Sequence, residues 1–189
     1  MAGAEVSMSA PEQTGYVVLA RPVAAVAVGV LSVVAVGRFG FTSDLLVAVF
    51  MIGVLGVLSV IDIEQRRLPN VIVLPAWLAI LLARLVLSPD HAWEWIAASL
   101  GAGLLFLVLA LISPSGLGMG DVKLAMLLGA ALGGSVVAAL FFGTLAAAAY
   151  AIVLIVRNGA DARRRSFPLG PFLAIGAVFT LLAPSSLGL

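Results

Sequence analysis

Seven stretches of this sequence, at 22–37, 45–61, 71–87, 95–112, 122–132, 135–156 and about 170–183, are apolar almost without interruption. At about 1.5 Å of rise per residue, a helix of roughly 17–22 residues spans about 25–33 Å, the hydrocarbon thickness of a bilayer. In that medium only a helix or a closed barrel satisfies every backbone N–H and C=O, so runs of this length dictate helices. Charged residues make up 10% of the 189 and hydrophobic ones 63%, with a mean hydropathy of +1.24, whereas soluble domains carry about 25% charged residues. The sequence predicts an all-α, polytopic membrane helix bundle of about seven transmembrane helices.

The stretch 122–156 admits two topologies. As one helix it would run about 52 Å, too long for a core of about 30 Å even with tilt, and Gly133-Gly134 offers a turn in its middle. Lys and Arg accumulate on the cytoplasmic side, and they favour the break. With seven spans, Arg21, Arg66, Arg67, Lys123, Arg157, Arg163, Arg164 and Arg165 share one face, leaving Arg38 and Arg84 on the other. The N-terminus and the loops 62–70, 113–121 and 157–169 are then cytoplasmic. Residues 1–20 read as a flexible cytoplasmic tail and 21–44 as an N-terminal transmembrane helix, retained because no small-x-small cleavage site follows it. Residues 45–189 form the main domain. Glycines such as Gly53, Gly56, Gly101, Gly103, Gly129 and Gly133 let helices pack closely. Trp93 and Trp95, with Asp90, His91 and Glu94, look like an interfacial belt on the outer face.

Several chemistries are excluded by composition. Without Cys there is no disulfide framework, thiolate metal site or cysteine nucleophile. His91 is the sole histidine, which removes paired-histidine metal sites, and no metal or cofactor is expected. The net charge of +1 and the lack of a long basic run argue against a nucleic-acid partner and leave lipid as the surroundings.

Against this apolar background two acids stand out. Asp121 follows Gly116, Gly118 and Gly120, which permit positive φ and a close approach by another backbone. A carboxylate at the edge of the hydrocarbon is costly and marks a candidate site, although an Asp that caps a helix beginning at Val122 would also explain it. Asp62 ends the run 45–61 and, in the seven-span topology, lies at the same face; an ion pair with Arg66 at i+4 is the alternative. Asp44, Asp90 and Asp161 fall among polar loop residues and are expected to be solvated. If Asp62 and Asp121 meet, they hold one proton between them. The ionised member can then activate a water and the protonated member can donate to a peptide carbonyl.

Gly118-Met119-Gly120-Asp121, continuing Val122-Lys123-Leu124, resembles the G-x-G-D signature of the membrane aspartic peptidases that process type IV prepilins and archaeal preflagellins. Asp62 with Leu68-Pro69-Asn70 is similar to that family's first catalytic aspartate and its I-P-N element, with Leu for Ile. The stretch from Phe167 through Pro168, Leu169, Gly170, Pro171 and Phe172 to Ala174 resembles its late P-F-G-P-F-L-A stretch, with Leu169 for Phe. The resemblance covers about residues 45–185. It implies a six-helix peptidase core, to which the first span is an addition, that removes a short basic leader after a glycine at the cytoplasmic membrane face. Prepilin-like or pseudopilin-like precursors would be the partners, with Asp62 and Asp121 as the catalytic pair. Gly118, Gly120, Lys123, Pro69, Asn70, Gly170 and Pro171 are motif or supporting positions. Many bacterial members also carry an N-terminal domain with paired C-x-x-C motifs and N-methylate the new terminus; this chain, without cysteine, departs from that pattern, so the resemblance implies peptidase activity and does not extend to N-methylation.

Other classes fit less well. The presenilin group shares G-x-G-D but has Tyr before its first aspartate, where this chain has Ile61, and a later Pro-Ala-Leu that is missing here. A rhomboid-type serine protease would need Ser115 and His91 together, on opposite predicted faces. A proton-coupled transporter or channel could also use paired intramembrane acids, but these spans offer no polar pathway. A purely structural subunit leaves the placement of Asp62 and Asp121 unexplained.

Overall fold

The computed structural model describes residues 10–113, 117–158 and 168–183, with side chains described from residue 20. Its elements are α1 (Ala10–Phe39), α2 (Ser43–Gln65), α3 (Asn70–Leu87), α4 (Ala92–Ile112), α5 (Met119–Leu132), α6 (Val136–Asn158) and α7 (Gly170–Leu182), with short 3-10 turns at Pro89–His91 and Gly133–Ser135. Among the described residues there is no strand, and the polytopic helical bundle is as the sequence predicts. Five segments are long and apolar enough to cross a membrane: Ala20–Phe39, Ser43–Gln65, Asn70–Leu87, Pro89–Ile112 and Met119–Arg157; Gly170–Leu182 is a shorter apolar helix.

The last of the five contains α5 and α6, and they behave as separate helices. Gly133 sits at φ 58° and ψ −136°, a region that favours glycine, and a Cβ there would stand 2.7 Å from the Trp95 ring. Beyond this break the helices part company: α5 packs on α4 and α3, whereas α6 packs on α7. At the N-terminus, α1 begins at Ala10, inside the stretch read as a tail. Pro11 falls in its first turn, where the missing N–H costs nothing because those donors have no intrahelical partner. Residues 1–9 lie outside the described residues, as do Pro114–Gly116, Asp161, the Arg163–Arg165 cluster and Phe167.

The core forms around α5. Its Leu124, Leu127 and Leu128 are almost fully buried in one cluster with Met51, Leu55 and Leu58 of α2, Val73 and Ile80 of α3, Phe106 of α4 and Leu173 of α7. This enclosure lets a helix of 14 residues, about 21 Å long, sit in a bundle whose other members, α7 apart, are longer. Gly129 makes it possible for α5 to touch α4, since a Cβ at that position would lie 2.4 Å from the Ala98 carbonyl oxygen. Across the same interface Ser99 Oγ donates to the Met126 carbonyl at 2.9 Å, and from α3 Trp77 Nε1 donates to Ser99 Oγ at 2.8 Å.

Side-chain contacts fix which helix ends lie together. At one end Arg84 donates through Nε and Nη2 to the Ala131 carbonyl at 3.2 and 2.9 Å, pairs with Asp44, and lies 4.5 Å over the Trp95 ring. Glu94 accepts the Gly134 N–H there at 3.2 Å. Asp44, expected in a solvated loop, is thus in the first turn of α2, where a carboxylate also meets the positive helix terminus. Trp95, expected in an interfacial belt, is half-buried beneath the guanidinium, whereas Trp93 is exposed. The opposite end gathers the end of α2 with the starts of α3, α5 and α7, and it carries the acids.

Candidate active site

Asp62 occupies the last turn of α2 and is only 6% exposed. Its Oδ2 accepts the Gly170 N–H at 2.8 Å, so the carboxyl sits at the N-terminus of α7, an arrangement favourable to negative charge. A side chain on Gly170 would forbid the contact, because a Cβ there would stand 2.8 Å from that oxygen. Pro171 follows in the first turn, where it has no N–H to offer. Arg66 does not pair with the Asp62 carboxyl. It is the C-cap of α2 in the left-handed region, φ 51° and ψ 38°, and donates its backbone N–H to the Asp62 carbonyl. That conformation costs a non-glycine residue about 1 kcal/mol and turns the chain sharply toward α3.

Pro69 caps α3 in extended geometry, and its carbonyl accepts from Ile72 and Val73. Asn70 opens the helix and accepts Lys123 Nζ on Oδ1 at 2.7 Å. Two separated motif positions thus meet, and Lys123 gains a role the sequence does not reveal: it ties the first turns of α3 and α5 together. Leu68 lies over Gly120 so closely that a Cβ on that glycine would stand 2.9 Å from the Leu68 Cβ.

Asp121 is the third residue of α5, which begins at Met119 and not at Val122. Its Oδ2 reaches back to the N–H of Gly118, the N-cap, at 3.1 Å. Gly118 has no side chain to reciprocate, so half of a capping box is present. Capping is real, but it consumes one lone pair of a half-buried carboxyl and leaves the rest of the group available. Gly118 has φ −88°, and among the described glycines positive φ occurs at Gly40 and Gly133. Close approach, at Gly120, and not left-handed backbone, is what this glycine-rich stretch supplies; Gly116 lies outside the described residues.

The carboxyls of Asp62 and Asp121 lie within electrostatic reach of each other. Each accepts one backbone N–H, and among the described residues no Lys or Arg forms an ion pair with either. No cluster of three His, Cys, Asp or Glu suited to a metal occurs among those residues. The neighbouring Glu64 is engaged by Arg21 of α1 at 2.7 Å, a contact that sequence spacing could not reveal because the partners are 43 residues apart. The arrangement offers two acids that can exchange a proton with a water or a bound amide, beside exposed loop backbone.

The description of the type IV leader peptidase family matches residues 49–155, a span that contains both acids. A prepilin leader peptidase/N-methyltransferase of Bacillus subtilis (strain 168) is 34% identical over 151 residues, covering 79% of this chain and 60% of that protein. One of the same name from Pseudomonas putida is 33% identical over 168 residues, 85% of this chain and 58% of that protein. The chain therefore spans about three fifths of the length of these relatives. No solved structure matches it. With more than half of its residues inside the family's pattern, the chain belongs to the type IV leader peptidase family.

Proposed function

We propose that this protein is a membrane aspartic endopeptidase that removes a short basic leader from prepilin-like precursors, cutting after a glycine at the cytoplasmic membrane face. The observation that carries this reading is the pair Asp62 and Asp121, brought to one end of the bundle from different helices and lacking a cationic partner among the described residues. The charge distribution supports the orientation: Arg21, Arg66, Arg67, Lys123 and Arg157 lie toward the acids, Arg38 and Arg84 toward the other end.

In the proposed reaction the two carboxyls share one proton. The ionised member takes a proton from water as its oxygen bonds to the scissile carbonyl carbon, and the protonated member donates to the carbonyl oxygen. The carboxyl that took the proton from water then gives it to the amide nitrogen, the C–N bond breaks, the other carboxyl takes back the proton it lent to the carbonyl oxygen, and a carboxylic acid and an amine leave. The N–H of Gly170 holds the Asp62 carboxyl in place, and that of Gly118 holds the Asp121 carboxyl. The relatives' names include N-methyl transfer, whereas the chemistry of a two-acid site is hydrolysis. Incubating the purified protein with a precursor whose Lys/Arg-containing leader ends in Gly tests it. Cleavage by the parent and none by Asp62→Asn or Asp121→Asn is expected, and cleavage by either variant refutes the dyad.

A further inference from the structure

Glu64 lies two residues beyond Asp62, on the side of α2 that faces α1. It accepts Arg21 Nε at 2.7 Å and Nη2 at 3.1 Å, a two-pronged contact. The Glu64 side chain keeps 13% of its surface exposed and that of Arg21 keeps 70%. The guanidinium therefore covers the acid while its own outer side stays open, and an ion pair of this kind exchanges readily. The other charged side chains described at this end, apart from the two aspartates, are Arg66, Arg67, Lys123 and Arg157. A cation approaching the dyad is repelled by all of them, and apart from the dyad itself Glu64 is the group among the described residues at this end that attracts it.

The helix that supplies Arg21 lies at the edge of the bundle, with most of its described residues exposed. Along α2 it is flanked by two apolar cavities of about 320 and 420 Å³. The smaller one reaches Ile63 and Pro171, the neighbours of Asp62 and Gly170; the larger one ends at Arg21 and Glu64. Arg21 opens an apolar run, so the chain itself presents to Glu64 a cation followed by a hydrophobic helix.

We infer that Glu64 is the docking acid for a cationic residue of the substrate's leader, and that Arg21 is an intramolecular stand-in which the leader displaces. This rests on the reading of the protein as a leader peptidase and deepens it by assigning the group that selects a basic leader. The distance is manageable: five or six extended residues, at about 3.3 Å each, pass around half the circumference of a helix about 10–12 Å across, from the dyad to Glu64.

The test uses the full chain in lipid vesicles and two precursors, one with Lys and Arg in its leader and one with Gln in their place. Glu64→Gln is expected to raise KM for the cationic leader about three- to tenfold, with the effect in KM and not in kcat, and to leave KM for the neutral leader as it was. Arg21→Gln is expected to lower KM for the cationic leader alone. Glu64→Asp, which keeps the charge, should restore discrimination. Equal KM changes for both leaders in Glu64→Gln, or a raised KM in Arg21→Gln, would show that the contact merely fastens α1 and would overturn the inference. Should Glu64→Gln fail to fold, the Arg21→Gln and Glu64→Asp results still decide. If the parent cleaves neither precursor, the peptidase reading has failed, an outcome distinct from loss of discrimination.

Discussion

The two ends of the bundle handle charge in opposite ways. At one, Arg84 is buried, yet its guanidinium is taken up by the Ala131 carbonyl, by Asp44 and by the face of Trp95. At the other, Asp62 is equally buried and accepts a single backbone N–H, with a second acid nearby and no cation paired with either among the described residues. An apolar bundle tolerates a charge cheaply when its own groups saturate it, and such a cluster is a fastening. Acids left short of partners are tolerated where their spare capacity is used.

Substitutions can break or sharpen this contrast. The harshest is Asp62→Asn or Asp121→Asn, expected to cut cleavage about a thousandfold or more while the melting temperature in detergent barely moves; a large fall in melting temperature would make the acids structural, like Arg84. Next is Gly170→Ala, whose Cβ would press on the Asp62 carboxyl from 2.8 Å. Cleavage should drop about ten- to a hundredfold, as misplaced catalytic groups do, and unchanged kinetics would mean the amide does not hold the acid. Arg84→Ala should do the reverse, lowering stability by about 2 kcal/mol through the orphaned Ala131 carbonyl, with cleavage per folded molecule retained. Smallest is Lys123→Ala, expected to cost about threefold in cleavage, with Asn70→Ala matching it and the double variant no worse. Additive losses would show that the two residues act separately.

What could be read from the chain followed from local rules. The spans, the break at Gly133 and the isolation of Asp62 and Asp121 all come from hydropathy, glycine geometry and the cost of burying charge. What could not be read depends on which faces meet. Asp44 looks like a loop residue until α3 brings Arg84 beside it, 40 positions along the chain. The bond from Gly170 to Asp62 spans 108 positions, so the sequence shows Gly170 as a motif position without showing that it braces an acid. The helix α1 begins at Ala10, before the apolar run, because a mixed polar stretch with an early Pro is compatible with a first helical turn.

The acids also ride on different sets of helices. Asp121 belongs to α5, which is gripped at both ends by α3, through Asn70 and Arg84, and packs broadly on α4. Asp62 belongs to α2, which rests on α7 and is tied to it at Gly170, while direct packing of α5 on α2 or α7 is thin. The spacing of the carboxyls is therefore set along a seam between two slabs of the molecule. A change of bilayer thickness that tilted one slab against the other would change that spacing and leave intact the backbone hydrogen bond that each acid accepts.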